Sequence, residues 1–253
     1  MISAALCPGT VIIGKTENNI NMPCGGAFAP PPSYFFHSAN TSLIKRGDRM
    51  NFGQKTGQIR VMQSGACVLR ARASYVQSNE EGHERFNECD KNAAEAYLAW
   101  AEHKQGKILR EEYTAKKSDR MFGFRPMVCH MDVRVVWQRE RFVSVVIDSV
   151  RDSGVMGEYP VCHRNADVWD MVRGVIIPPK AFLSSVPELR TLRVGGKRPE
   201  GLWIAEDGVV LYHNAGADGY AEYHTGIAVD FVPRKGSAER EYVPAVVPDT
   251  AKS

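Results

Sequence analysis

A strict alternation of apolar and polar residues near the middle of the chain limits its fold more than any other feature. From Met127 to Gln138, apolar side chains at every second position alternate with a set that includes His130 and Asp132. A period of two is typical of a β-strand with one face on a core. A second apolar-rich run, Phe142 to Val150, follows Arg139-Glu140-Arg141, so the two segments predict an antiparallel hairpin.

Two further hairpins are predicted on either side of this one. One spans residues 58–77 around Ser64-Gly65, and the other spans residues 202–212 around Asp207-Gly208, a pair suited to a turn with positive φ. Single strands are expected from Val161 to Asp170, after a turn at Gly154 and Gly157, and from Thr225 to Val232. The chain is therefore expected to be rich in short antiparallel strands.

One long helix is predicted between the first two hairpins. Its apolar stripe recurs at three- and four-residue steps and comprises Phe86, Cys89, Ala93, Ala96, Tyr97 and Trp100. Asn79 is the predicted N-cap, and Gly106 is a predicted break, after which the helix resumes from Glu111 to Lys117. A short helix with proline in its first turn is expected over residues 178–183. The fold class is therefore α+β: an antiparallel sheet of hairpins packed on one long helix plus a short helix.

Composition argues against two classes of partner. The net charge is only +3 and the Lys and Arg are scattered along the chain, so no nucleic acid is expected. No apolar run approaches the ~18 residues of a membrane helix, so no membrane-spanning segment is expected. Residues 1–7 lack a positive region and a long apolar region, so they are not a signal peptide. The location is then the cell envelope if an export segment was removed, and otherwise the cytoplasm.

Six cysteines leave two alternatives open. No C-x-x-C pair occurs, which argues against a zinc site. The cysteines either form disulfides, with Cys7 and Cys24 as the first candidates, or remain thiols, as the apolar surroundings of Cys67, Cys89 and Cys129 favour.

The segment from Tyr212 to His224 holds the densest group of polar and aromatic residues. His213, Asp218 and His224 are chemically suited to metal or acid–base chemistry, but the histidine spacing is not that of a helical metal site. The simpler interpretation is that this segment is a loop joining two strands and binds no metal and no cofactor. Its tyrosines, among Gly and Asn, form a composition suited to recognising a protein or a sugar, and the alternative is that these rings close off the end of the core.

Several stretches together resemble a known pair of domains: Phe142–Ile147, Asn165–Gly174, Val175–Phe182, Leu202–Tyr212 and Ile227–Phe231. With the preceding strand pair and helix, they resemble the accessory domain of bacterial peptidoglycan deacetylases followed by the lysozyme-sensing ectodomain of anti-sigma factors. The resemblance covers residues 57–233. The chain departs from it in having Ser153 to Gly157 where a Gly-Gly-Ala-His stretch is usual. Residues 1–253 are also expected to hold neither a membrane anchor nor a deacetylase domain.

Four regions are expected, of which the resemblance implies the middle two and composition predicts the first and the last. Residues 1–56 are a loop-rich segment with short strands at Val11–Ile13 and Tyr34–Phe36, and residues 57–150 are a deacetylase-accessory-like domain. Residues 151–233 are a lysozyme-sensor-like domain that shares the sheet, and residues 234–253 are a flexible tail.

The resemblance also implies a non-catalytic module that recognises a lysozyme-like protein or cell-wall glycan through loops at one end of the sheet. The candidate contact residues are Tyr159, His163, His213, Asn214, Asp218, Tyr220, Tyr223 and His224. Two alternatives remain: a metal-assisted hydrolase using His213, Asp218 and His224, and a cytoplasmic structural or interaction protein.

Overall fold

A computed structural model describes residues 50–119, 123–155, 157–216, 219–234 and 241–247, all within one compact unit, Asp48–Ser253. Its strands are β1 (Phe52–Gln63), β2 (Ala66–Ser78), β3 (Met127–Arg139), β4 (Phe142–Asp152), β5 (Val161–Asp170), β6 (Val175–Ile177), β7 (Gly201–Ala205), β8 (Gly208–Gly216), β9 (Gly219–His224), β10 (Val229–Pro233) and β11 (Tyr242–Val246). The helices are α1 (Glu84–Trp100), a π-helical turn (Ala101–Gln105), α2 (Gly106–Lys116), α3 (Pro179–Ser185) and a 3₁₀ turn (Pro187–Arg190).

Six strands form the main sheet in the order β1-β2-β3-β4-β5-β6. Every neighbouring pair is antiparallel except β2 and β3, which run parallel. A parallel pair needs a long crossover connection, and the continuous helix from α1 to α2, 33 residues long, supplies it. The predicted α+β class is confirmed, and the parallel pair is the feature that the hairpin pattern did not reveal.

The three predicted hairpins form. The central hairpin turns at Glu140 and Arg141. The first turns at Ser64 and Gly65, and both of these residues have the positive φ that a two-residue hairpin turn favours.

The turn of the third hairpin lies one residue earlier than predicted, at Glu206 and Asp207. Gly208 instead opens β8, with φ 129°, and a Cβ there would lie 2.6 Å from the carbonyl oxygen of Ile227. The glycine therefore serves a close backbone approach, not the central position of the turn.

The long helix forms, but two predicted details of it are wrong. Asn79 is not the N-cap, because it directly follows the end of β2 and its N–H donates to the carbonyl of Asn51, which directly precedes the start of β1. The helix begins at Glu84. Gly106 does not break the helix, which continues through a π-helical turn into α2. A Cβ at Gly106 would lie 3.0 Å from a methyl of Val61, so the glycine lets the helix pass close to β1.

The main sheet carries a core on each face. On one face α1 packs through Phe86, whose ring meets Trp169 of β5 edge-on with centroids 5.3 Å apart. On the other, Phe142 of β4 stacks on Phe231 of β10 at 3.9 Å, with Phe182 of α3 in the same cluster. The predicted short helix is therefore an anchor of the second core.

Two smaller sheets complete the fold: β7-β8-β9 and the pair β10-β11. The last predicted strand forms over Val229–Pro233, shorter than expected. Strand β11 lies in residues 234–253, where the sequence predicted only a flexible tail. The guanidinium of Arg141 lies 4.6 Å from the ring centroid of Tyr242, and this long-range contact fixes a segment whose Pro and charges suggested no structure.

The strands predicted at residues 11–13 and 34–36 lie outside the described residues, as do Cys7 and Cys24. Of the other cysteines, Cys67, Cys129 and Cys162 are thiols without a disulfide bond. Burial raises the pKa of Cys129 to about 11. In the part of the chain that the structure describes, no helix has the length and apolarity to cross a membrane.

Candidate functional site

A buried arginine, Arg164 of β5, organises the polar side of the main sheet. Its side chain is only 5% exposed, and it lies directly opposite Asp148 of β4. Arg164 Nε donates to Asp148 Oδ1 at 2.6 Å and its Nη2 donates to Oδ2 at 2.7 Å. Arg134 of β3 donates to the same Oδ2 at 2.6 Å. Charge-assisted bonds in this forked arrangement are strong and directional, so three adjacent strands are tied together by side chains.

The β8–β9 hairpin supplies the remaining partners of this arginine. The guanidinium lies 3.7 Å from the ring centroid of Tyr220, and Arg164 Nη2 donates to the Tyr220 hydroxyl at 2.6 Å. Arg164 Nη1 is ion-paired with Glu222, which also accepts a bond of 3.2 Å from Trp203 Nε1. We call Arg164, Asp148, Tyr220 and Glu222 the Arg164 node. Partial burial and the charge of Asp148 raise the pKa of Tyr220, so its hydroxyl stays protonated.

Asn214 of β8 bonds to the backbone of the same arginine. Its Oδ1 accepts from the Arg164 N–H at 2.6 Å, and its Nδ2 donates to the Arg164 carbonyl at 3.0 Å. The Nδ2 also donates to Glu200 at 2.7 Å. The side-chain amide of Asn214 thus makes the two main-chain hydrogen bonds to Arg164 that a neighbouring strand would otherwise make. Predicted as a binding residue, Asn214 has its polar atoms committed within the protein.

The two histidines of the predicted metal-site alternative do not meet. His213 lies opposite Ala221 and His224 opposite Val210, three positions apart on each strand, so their side chains lie on opposite faces of the hairpin. His213 Nδ1 is 3.1 Å from Glu200, and His224 Nδ1 is 3.0 Å from Asp207. Asp218, the third member, lies outside the described residues. The described ranges contain no group of three potential metal ligands.

The remaining candidate residues, His163, Tyr159 and Tyr223, do not converge on the Arg164 node. His163 alternates with Arg164 along β5, so its side chain lies on the helix-facing side, away from the node. Tyr159, 55% exposed, precedes β5, and Tyr223, 45% exposed, lies opposite Leu211 on β9. A Cβ at Gly219 would lie 4.0 Å from Cys162 Cβ, so the start of β9 lies beside the start of β5. The segment predicted as a loop is therefore mostly two paired strands.

Sequence reasoning missed the charged members of the node: Arg164, Asp148 and Glu222. Each belongs to a predicted strand or to the polar segment, and an arginine opposite an aspartate on a sheet is a recognisable signal once the register is known. The register across β4 and β5 is not readable from alternation alone, and the approach of β9 depends on tertiary packing.

One buried carboxyl group, Asp90, and one partly buried carboxyl group, Asp167, lie on the helix-facing side of the main sheet. Asp90 of α1 is almost inaccessible, and its Oδ2 has no hydrogen-bond partner among the described residues. Burial raises the pKa of Asp90 well above its ordinary value, and the nearby charge of Asp167 adds to this. Burial also raises the pKa of Asp167 of β5 to about 6. These carboxyls are therefore a source of pH-dependent stability inside the core.

Comparison with known proteins places the fold among solved structures. No family model matches the chain, and no curated protein matches it. A member of the DUF3298 family from Bacteroides fragilis is similar in structure, with a TM-score of 0.50 and 10% identity over 70% of this chain and 90% of that one. A DUF3298 family protein from Pseudomonas aeruginosa has a TM-score of 0.43 and 9% identity over the same shares. The Bacteroides structure shows a similar fold, and the likeness concerns the fold alone.

Proposed function

We propose that the chain is a non-catalytic binding module of the cell envelope, which recognises a lysozyme-like protein or cell-wall glycan through the β8–β9 hairpin. The observation that carries the proposal is that the Arg164 node clamps this hairpin to the main sheet while Tyr223 stays 45% exposed. An aromatic ring on a rigid support gives contact area at little cost in conformational entropy.

The polar chemistry of the same region favours binding over catalysis. The imidazoles of His213 and His224 each lie next to a different carboxylate on opposite faces of the hairpin. General acid–base catalysis needs such groups to converge within hydrogen-bond reach of one reacting atom. The geometry therefore favours the binding hypothesis over a metal-assisted hydrolase.

The location and the two candidate ligands rest on the resemblance of residues 57–233 to deacetylase-accessory and lysozyme-sensing domains. The similar fold of the Bacteroides fragilis protein is compatible with that resemblance and carries no ligand with it.

Binding of the full chain to lysozyme and to soluble peptidoglycan fragments, measured by biolayer interferometry, tests the proposal. We expect Tyr223→Ala to weaken binding of one of them about tenfold or more, as expected for an aromatic anchor of an interface. Tyr159→Ala tests in the same way whether the turn before β5 contributes. The matched control is Val172→Ala, which truncates a side chain 68% exposed in the turn between β5 and β6.

Two outcomes would overturn the proposal: wild-type protein that binds neither ligand, or Tyr223→Ala protein that binds as tightly as the control. Tyr220 is unsuitable for the test, because its ring and hydroxyl contact Arg164 and its removal would perturb folding as well as recognition.

A further inference from the structure

Strand β1 is a long edge of the main sheet. It spans 12 residues and pairs with β2 on one side, and no strand among the described residues pairs with its other side. The outer N–H and C=O groups of an edge strand are ready to pair with another extended chain. Many recognition domains bind a peptide by adding it to such an edge.

Three exposed arginines lie beside this edge on one face of the sheet. Arg60 of β1 is directly opposite Arg70 of β2, and Arg72 of β2 is in register with His130 of β3. We call Arg60, Arg70 and Arg72 the arginine cluster. Their main chains pair within the sheet, but across the described residues none of the three guanidinium groups forms a hydrogen bond or an ion pair. Like charges directly opposite one another destabilise a sheet, so the cluster costs the isolated protein stability.

Protection of the edge does not explain the whole cluster. Charged residues on an edge strand discourage unwanted pairing, which accounts for Lys55 and Arg60. Arg70 and Arg72 lie on the second strand, where pairing is already complete. Farther along the same face, Arg134 and Arg164 each have a carboxylate partner in Asp148. The arginine cluster differs from these in lacking one, so a partner's carboxylates would complete it.

We propose that β1 receives an extended acidic segment of a partner protein, which adds to the main sheet as a further strand. Its main chain bonds to the outer edge of β1, and acidic side chains at alternate positions pair with the arginine cluster. Alternate residues of a strand are ~6.6 Å apart, so acidic side chains at alternate positions match the spacing of Arg70 and Arg72 along β2. Neighbouring strands are ~4.8 Å apart. Long side chains therefore span the distance from an added strand to both β1 and β2.

The chain itself does not contain a matching segment before β1. Residues 1–49 include only Glu17 and Asp48 as acidic residues, too few and too far apart to alternate along one strand. The surface is separate from the β8–β9 hairpin, so this proposal stands or falls independently of the proposed function.

Fluorescence anisotropy of the full chain with a labelled peptide tests the charge requirement. The probe is a peptide of about nine residues, a common strand length, that alternates glutamate and threonine. We expect the double variant Arg70→Gln, Arg72→Gln to bind at least about tenfold more weakly, and Arg198→Gln, which removes an exposed arginine outside the cluster, to bind like wild type. A peptide with lysine in place of glutamate is expected not to bind. Equal binding by the double variant and Arg198→Gln would overturn the proposal.

Hydrogen–deuterium exchange of residues 52–63 tests strand addition itself. We expect the acidic peptide to slow exchange in β1, because its main chain bonds the outer amides, and inorganic polyphosphate to leave that exchange unchanged. Peptide binding without added protection in β1 would show a surface for polyanions in general and would overturn strand addition. Full protection of β1 in the free protein would show the edge to be already occupied and would overturn it as well.

Discussion

Replacement of Arg164 by methionine tests whether the node joins the β7-β8-β9 sheet to the main sheet. Removing one partner of a buried ion pair costs about 3–5 kcal/mol, because the other charge is left buried. Asp148 keeps a partner in Arg134 at 2.6 Å, and Glu222 is partly exposed, so both retain some compensation. Methionine also fills much of the volume of the arginine stem. We therefore expect a loss at the lower end, about 3 kcal/mol in the free energy of unfolding.

Urea denaturation followed by tryptophan fluorescence measures this loss. The control is Arg139→Met, which breaks an exposed ion pair to Asp230 at 3.4 Å and is expected to cost less than about 1 kcal/mol. Arg164→Lys keeps the charge without the fork, and we expect an intermediate loss. If Arg164→Met and Arg139→Met destabilise the protein equally, the node does not hold the two sheets together.

Two further changes probe the core. Asp167→Asn should stabilise the protein at pH 7. The pKa of Asp167 is about 6 in the folded protein, above its unfolded value of about 4, so the wild-type free energy of unfolding falls as pH rises from about 4 to 6. Urea titrations at pH 4 and pH 7 should show this gain only at pH 7, and an equal gain at both would contradict the assignment. Gly208→Ala should destabilise by more than about 2 kcal/mol, because its Cβ would meet the Ile227 carbonyl at 2.6 Å. Thermal unfolding measures this against Gly195→Ala, whose Cβ would meet nothing within 4 Å, and equal losses would indicate backbone strain alone.

Local patterns in the sequence predicted elements well where one periodicity or one turn dominates. The alternation from Met127 to Gln138 gave its strand, and Val161 to Asp170 matches β5 at both ends. Predictions that depended on a single residue were less secure. Asn79 failed as a cap because strand pairing claims its backbone, and Gly106 failed as a break because Val61 packs against it.

The candidate site was predicted only in part, for a physical reason. The segment from Tyr212 to His224 does adjoin β5 and holds Asn214 and Tyr220, both of which contact Arg164. The roles of these residues were not readable from composition, because burial and partners decide whether a tyrosine binds a ligand or an internal arginine. Tyr220 and Tyr223 look alike in sequence and both are partly exposed, at 36% and 45%, yet Tyr220 stacks on Arg164 on one face of β9 and Tyr223 lies on the other face.

The sequence alone determined the three hairpins, strand β5 and the long helix, because period and turn chemistry act over a few residues. Tertiary structure alone decided the parallel pairing of β2 with β3, the docking of β11 and the assembly of the Arg164 node. Arg164 and Tyr220 are 56 residues apart, and their contact exists only once two sheets pack face to face. The alternation of apolar and polar residues indicates which face of a strand is polar, whereas register and packing decide which residues that face contacts.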